Sequence, residues 1–389
     1  MKVESTGFTR EDVQKPGIDF IVRRDDLYTT KFVEGQGFAE DLRPGEVQLR
    51  IEKFALTANN VTYAVYGDAI GYWGYFPSAE KGWGRPPVWG FAEVVASQQE
   101  GVGLGERYYG FYPISSYLTV EAKPNTAGLR DIAEHRLSLP KAYNQYFLTD
   151  RDPVYDPDHE NEQMILRPLF VTSFLAFDFL QDKGFFDADA IALSSASSKT
   201  AYGIAFLLSN VASRIKVIGL TSGRNRKFTK GLGCYDQVFT YDEVAFVPID
   251  SKVTYVDVAG SPRVRAALKE RLGDRLVYSM ALGDTHWNED RQQASLAGEQ
   301  EFFFAPTWLA KRTVDWGVQG YVERLAEAWR TFSKPVGGWM EVVEESGPEA
   351  ILRVWQEHLR GRADPAVGNV LSIGAPGVPS FGWMRAALD

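Results

Sequence analysis

The sequence predicts an α/β chain in two parts, a small β-barrel or sandwich followed by a doubly wound parallel sheet, with a short return piece at the end. Three observations carry this. Short alternating apolar runs joined by glycine-containing turns dominate the first third. From residue 168 strand-like runs alternate with helical stretches, the pattern of a parallel sheet with crossover helices. Between them stands the stretch Leu193 to Gly203, LSSASSKTAYG, a tight turn of small residues between a buried strand and a helix. Such a join is the layout of a phosphate site, because helix amides point at the anion.

Taken in order, EVQLRIEKFAL and YYGFYPISSYLTVEA read as strands of the first part. Residues 124–167 turn polar, with NQYFLTDRDPVYDPDHENEQ carrying several Pro and Asp, and are expected to be a loop or partly mobile excursion rather than a substrate lid. PLFVTSFLAFDFLQDKGFF is an apolar helix, and AIALSSA, KVIGLT, QVFTY, TYVDVAG and RLVYSMAL are strands of the sheet. GWMEVVEESGPEAILRVWQEHLRGRADPAVGNVLSI then reads as strand, helix, strand. The expected division is 1–167, 168–337 and 338–389, the last returning to the first domain.

Composition sets limits on function. With 389 residues, 44% hydrophobic and 24% charged, the chain can bury a large core in two domains. Its 42 basic and 51 acidic residues give a net charge of -9 without a long Lys/Arg run, which argues against a nucleic-acid partner. MKVESTGFTREDVQ lacks the apolar core of a signal peptide, and no segment reads as the apolar run of roughly 18 residues that a membrane helix needs, so a cytoplasmic chain is expected. One cysteine, Cys234, excludes an internal disulfide and any multi-thiolate zinc site. His135, His159, His286 and His358 show no HxxH or HExxH spacing, so no protein-bound catalytic metal is expected.

LRPGEVQLRIEKFALTANNVTYAVYGD, PPVWGFAEVVASQQEGVGLGERYYGFYPISSYLTVEA and RLVYSMALGD, in that order, resemble segments of the medium-chain dehydrogenase/reductase superfamily in its zinc-free, quinone-reductase-like branch. They match its opening strand and substrate loop, its barrel segment and the fifth strand of its nucleotide domain. The resemblance implies a GroES-like, partly open β-barrel with a Rossmann domain inserted. It also implies hydride transfer from NADP(H) to an activated C=C or quinone-type small molecule. A homodimer is compatible with it.

The family's turn has the spacing A-x-G-x-x-G, and the matching residues are Ala196, Ser198 and Ala201. Small residues still let a backbone approach a pyrophosphate, and the turn is expected to keep negative φ. Ser195, Ser197, Ser198 and Thr200 offer hydroxyl donors, and Lys199 a positive charge at the mouth of the interdomain cleft. The alternative is a serine-rich helix start without a ligand. Ser198, Lys199 and Thr200 also imitate the end of a P-loop, but Leu193 and Ser198 stand where its glycines belong and no acidic magnesium strand follows.

The second strand selects the dinucleotide. An NAD site places Asp or Glu at its end for the ribose hydroxyls, whereas a 2'-phosphate requires cations. KVIGLT is followed by SGRNRKF, with no acid and with Arg224, Arg226 and Lys227 close together, so NADP is favoured over a merely solvated basic helix start. Thr221 and Ser222 are further donors to the same phosphate. Cations at the head of a helix oppose its dipole, which suggests a purpose other than helix stability.

By the resemblance, LTANNVTYAVYGDAIGYWGYF is the substrate loop facing the nicotinamide. Asn60, Tyr63 and Tyr72 are the catalytic candidates, with Tyr66 in contention, because a phenol protonates a developing enolate and an amide orients a carbonyl. Tyr72, Trp73, Tyr75, Phe76 and Trp83 either pack this loop or line a pocket. Leu282 and Gly283 extend the cofactor site, and His286 and Trp287 follow at the sheet's carboxyl edge. A catalytically silent NADP-binding sensor or scaffold of the same fold is the alternative, favoured by the missing glycines.

Overall fold

The computed structural model describes residues 16–211, 214–248, 250–282 and 301–374. Two compact units result, Met1–Asp152 with Val343–Arg362 and Asn369–Asp389, and Pro153–Val342 with Ala363–Gly368.

In the first unit β1 (Gly17–Arg23) and β2 (Thr30–Gly35) form an antiparallel pair. The next strand, β3 (Glu46–Leu56), leads into helix α1 (Ala58–Val65), and the short β4 (Trp83–Gly84) joins β1. There follow β5 (Pro87–Ser97), β6 (Arg107–Pro113), β7 (Tyr117–Asn125), β8 (Gly128–Asp131) and β9 (Gln145–Leu148). The order β3-β5-β6-β9-β8-β7, with β7 pairing back onto β3, closes a barrel. Alternation explains β3: Val47, Leu49 and Ile51 turn into the core. Gln48, also buried, accepts from the Ala39 amide and donates to the Gly37 carbonyl.

The 124–167 segment is not the loop that its polarity suggests, since it supplies β8 and β9 to the barrel. Its polar letters are used inside the protein. Arg136, 1% exposed, pairs with Asp131 at 3.1 Å, donates to the Tyr146 hydroxyl at 3.2 Å and lies over the Phe76 ring at 4.7 Å. A buried charge that is paired reads in a sequence like a solvated one.

The second unit starts with α2 (Glu160–Asp182), eight residues before the predicted helix start and with Pro168 inside it. Met164, Ile165 and Leu166, each 1% exposed, lie ahead of the proline, and their burial outweighs a helix penalty of about 3 kcal/mol. Extended to Pro157–Asp182, this helix is long and apolar enough to cross a membrane, which corrects the expectation that no segment is. Some 72% of its apolar window is buried inside the protein, as in a core helix.

Next come β10 (Ala190–Leu193), α3 (Lys199–Val211), β11 (Lys216–Thr221), α4 (Arg226–Gly231), β12 (Gln237–Thr240), β13 (Val253–Asp257), α5 (Pro262–Leu272), β14 (Leu276–Ala281), β15 (Glu301–Phe302) and α6 (Ala305–Val336). The sheet is parallel, in the order β12-β11-β10-β13-β14-β15. Strands are added outward in one direction from β10 to β12 and in the other from β13 on, so the ends of β10 and β13 form the switch point where such sheets bind ligands. Helices α2 and α3 approach closely at Gly203. A Cβ there would stand 2.5 Å from Ser173 Oγ, which donates to the Thr200 carbonyl at 2.8 Å.

The predicted return piece forms β16 (Glu341–Ser346), α7 (Pro348–Leu359) and β17 (Val367–Ser372). Strand β17 pairs antiparallel with β3. Trp355 of α7 is fully buried and donates its indole N–H to the Leu27 carbonyl.

Candidate functional site

The turn after β10 is held mostly by its own protein. Ser195 has φ 49°, a left-handed residue where negative φ was expected. The correction has a steric reason: with no glycine available, a short polar residue takes the reversal, at a cost of roughly 1 kcal/mol. The Ala196 amide then reaches the Leu220 carbonyl at 3.0 Å, and the Ser198 amide reaches the Ser195 carbonyl at 2.7 Å. Ser198 caps α3, its Oγ accepting from the Ala201 amide and its carbonyl from that of Tyr202. The Ser195 amide is taken by the Tyr241 hydroxyl at 3.1 Å, and Tyr235 donates to the Ala196 carbonyl at 2.8 Å. Ala196 and Ala201 are fully buried, as close backbone packing demands. The amides of Lys199 and Thr200, first in the helix, have no carbonyl of that helix behind them.

Lys199 finds its partners within its own unit. Its Nζ donates to the carbonyls of Pro365 at 3.4 Å and Val367 at 3.2 Å. Burial lowers its pKa to about 8, against the attraction of Asp364. A cation in the first turn of a helix opposes the dipole, and the side chain turns instead to carbonyl oxygens.

Asp257 at the end of β13 is a residue that the sequence reading missed. Fully buried, it accepts on Oδ1 from Ser194 Oγ, the Tyr255 hydroxyl and the Gly260 amide at 2.9 to 3.0 Å, and Arg265 stands 3.8 Å from Oδ2. Ser194 Oγ accepts in turn from the amides of Val258 and Ala259. This network fastens β10 to β13 at the switch point. Its only sequence signal was an acid closing the apolar run TYVDVAG.

The turn after β11 differs. Thr221 is buried, with its hydroxyl 3.5 Å from Ser197 Oγ, so it braces the neighbouring turn rather than facing a ligand. Asn225 donates to the same Ser197 Oγ at 2.9 Å. Arg226 is paired with Glu243 at 2.8 Å. Glu243 lies in the turn after β12, beyond the reach of local sequence reasoning. Arg224 and Lys227 are exposed. Ser222 Oγ is buried and has no hydrogen-bond partner among the described residues. An orphaned hydroxyl beside exposed cations, with no acid at the strand end, fits a phosphate monoester.

In the barrel unit the substrate-loop candidates sort into different roles. Asn60 is the third helical residue of a capping box led by Thr57: its Oδ1 accepts from the Thr57 amide at 2.6 Å and hydroxyl at 3.1 Å, and its Nδ2 donates to the Pro87 carbonyl. That corrects its assignment as a carbonyl-orienting amide. Tyr66 terminates α1 through its backbone. Tyr63 is buried, accepts from the Trp89 indole at 3.2 Å, and burial pushes its phenol upward. Tyr72 is 7% exposed and shares a hydroxyl contact of 3.2 Å with Tyr143, a residue of the 124–167 segment that no local motif marks. Tyr75 donates to the Pro140 carbonyl. The aromatic run is therefore largely a packed cluster, in which Trp73, Tyr75 and Phe76 are buried, while Lys31 Nζ covers the Trp83 ring at 4.4 Å.

Leu282 is half-buried and donates its amide to the Asp257 carbonyl at 2.9 Å. Gly283, His286 and Trp287 lie outside the described residues. Among those described, no group of three or more His, Cys, Asp or Glu is placed to hold a metal ion.

A closed small barrel and a parallel sheet in the 3-2-1-4-5-6 order, with a phosphate-type turn after the first strand, match the expected GroES-like barrel and Rossmann sheet. The chain belongs to the family described as protein of unknown function (DUF2855), whose model matches residues 54–364. No curated protein sequence matches it. Among solved structures, CurA from Vibrio vulnificus in complex with NADPH is 14% identical, with a TM-score of 0.56 over 92% of this chain and 99% of that one. YhdH from E. coli K-12 with bound NADPH is 12% identical, with a TM-score of 0.54 over 92% of this chain and 100% of that one. The quinone oxidoreductase from Coxiella burnetii is 12% identical, with a TM-score of 0.52 over 92% and 100%. At these identities the likeness is one of fold.

Proposed function

We propose that the chain is a zinc-independent, NADP(H)-dependent oxidoreductase that transfers a hydride to an activated C=C or quinone-type substrate. The observation that carries the cofactor choice is the turn after β11, where Ser222 Oγ lacks a partner among the described residues beside the exposed Arg224 and Lys227 and no acid closes the strand. The NADPH named with the similar CurA and YhdH structures supports the same choice. Bound, the dinucleotide supplies the hydride. Arg224, Lys227 and Ser222 hold the 2'-phosphate, the amides of Lys199 and Thr200 meet the pyrophosphate at the head of α3, and Leu282 borders the cofactor after β14. Tyr72 is the proton donor to the reduced substrate, and Tyr63 shapes the pocket behind it.

Titrating the purified chain with NADPH and NADH, then following NADPH oxidation with a panel of enones and quinones, tests the reading. NADPH binds more tightly and turnover survives exhaustive EDTA treatment. Equal affinity for both cofactors overturns the 2'-phosphate site, and activity restored by zinc alone overturns zinc independence.

A catalytically silent NADP-binding sensor is the second reading. It is favoured by the Tyr241 hydroxyl on the Ser195 amide, which takes one of the donors that a pyrophosphate would use. Tight NADPH binding without turnover of any substrate in the panel selects it.

A further inference from the structure

We propose that Tyr143 is a positioning residue for Tyr72: its hydroxyl, 3.2 Å away, donates to the Tyr72 oxygen and leaves the Tyr72 proton directed at the substrate. The inference rests on the reductase reading and on Tyr72 as its proton donor. Four phenols crowd this part of the barrel, and the hydroxyls of two are already engaged. Tyr63 accepts from Trp89, and Tyr75 donates to the Pro140 carbonyl. Tyr72 and Tyr143 are left to pair with each other.

Packing fixes where the Tyr143 hydroxyl lies, and the proposed role sets the donor: once Tyr72 has given up its proton, only Tyr143 can donate between the two oxygens. The Tyr143 ring is held among Phe111 at 4.8 Å, Tyr75 at 5.4 Å, Tyr72 at 5.6 Å, Trp89 at 6.1 Å and Tyr63 at 6.2 Å between centroids. A ring fixed on so many sides presents its hydroxyl at one point, and that point is the Tyr72 oxygen. Tyr143 comes from the turn Lys141–Asn144, in the segment whose sequence reads as a loop. This placement gives that segment a chemical as well as a structural part.

The chemistry balances with a reduced nicotinamide as the reductant. Hydride delivered to the β-carbon of an enone drives the C=C electron pair toward oxygen as an enolate. The Tyr72 O–H bond breaks, its proton forms the new C–H bond at the α-carbon, and the O–H electron pair stays on Tyr72 as a phenolate. The Tyr143 O–H stabilises that charge, and water restores the proton. The titratable groups facing Tyr72 are Tyr63 from α1, Tyr75 from its own turn and Tyr143, with Arg136 one ring further, 5.9 Å from the Tyr75 ring. Burial raises all four phenols, and at Tyr72 the hydrogen bond from Tyr143 works against the rise.

Tyr143→Phe and Tyr72→Phe in the full chain test this, each keeping its ring in the cluster. With NADPH and the fastest-reduced enone of the panel, Tyr143→Phe keeps the melting temperature and KM. It lowers kcat roughly tenfold to a hundredfold, the loss of one charge-assisted hydrogen bond, and moves the alkaline limb of kcat to higher pH. Tyr72→Phe loses more, and adding Tyr143→Phe to it costs nothing further. In the absence of substrate, the phenolate transition that Tyr72→Phe removes from the near-ultraviolet titration shifts upward in Tyr143→Phe. An inactive Tyr72→Phe beside an unchanged Tyr143→Phe overturns the role of Tyr143 alone. Full activity in Tyr72→Phe overturns the proton donor and the inference with it. If no enone is reduced, an unmoved phenolate transition in Tyr143→Phe overturns the inference by itself.

Discussion

The turns after β10 and β11 stand side by side in one sheet and use their polar groups in opposite ways. After β10 the Ser195 amide meets a tyrosine hydroxyl, the Ala201 amide meets its own helix cap, and Lys199 reaches back to two carbonyls. After β11 Ser222 Oγ has no hydrogen-bond partner among the described residues, and Arg224 and Lys227 are exposed. The first turn is a braced structural joint, and the second exposes its cations. On the proposed reading, discrimination between dinucleotides sits in the second turn and the grip common to both sits in the first.

The largest effect that would break this contrast is expected at Ala201. Ala201→Trp puts a large ring where no exposed surface exists, in a helix packed directly on the strand behind it. Titration by protein fluorescence should show no NADPH binding, while amide exchange in β3, β5 and β6 stays protected. Normal binding by this variant would mean that the first turn is not the cofactor's seat.

A selective effect is expected at the second turn. Replacing Arg224 and Lys227 together by alanine should weaken NADPH by about tenfold or more and leave NADH nearly unchanged, since each charge-assisted contact is worth about 1.5 to 3 kcal/mol. Arg226→Ala should do less, because its guanidinium is already paired with Glu243. Isothermal titration with both cofactors measures the difference. Equal losses for NADPH and NADH would erase the distinction between the turns.

The smallest effect is a pH dependence from Lys199. Its pKa in the folded chain is lowered from 10.5 to about 8, so between these values the unfolded chain binds more protons than the folded one. Stability therefore rises with pH across this window, as the cost of the buried charge is relieved, and the penalty is fully present below it. In urea unfolding at pH 7, 8, 9 and 10, the difference between wild type and Lys199→Met should change in favour of wild type as pH rises. A constant difference would place the ammonium in solvent.

Much of the fold was legible because periodicity is local. The runs AIALSSA, KVIGLT, QVFTY, TYVDVAG and RLVYSMAL became β10 to β14, and the strand–helix–strand ending became β16, α7 and β17. The 124–167 segment misled because its Asp and Arg pair with each other inside the barrel, and composition does not distinguish a buried pair from a solvated one. Pro168 misled because the loss of one helix bond weighs less than the burial of the residues before it.

At the candidate site the sequence by itself determined the turn of small residues, the cations after β11 and the absence of an acid there, because each is a matter of residue type at short spacing. Only the tertiary structure decided which of these groups face outward. It turned Lys199 to Pro365 and Val367, paired Arg226 with Glu243, made Asn60 part of a helix cap and set Tyr143 against Tyr72. Each of these choices except the cap joins residues distant in the chain, and a side chain's role is set by the partner that folding delivers within hydrogen-bond reach, which no local pattern encodes.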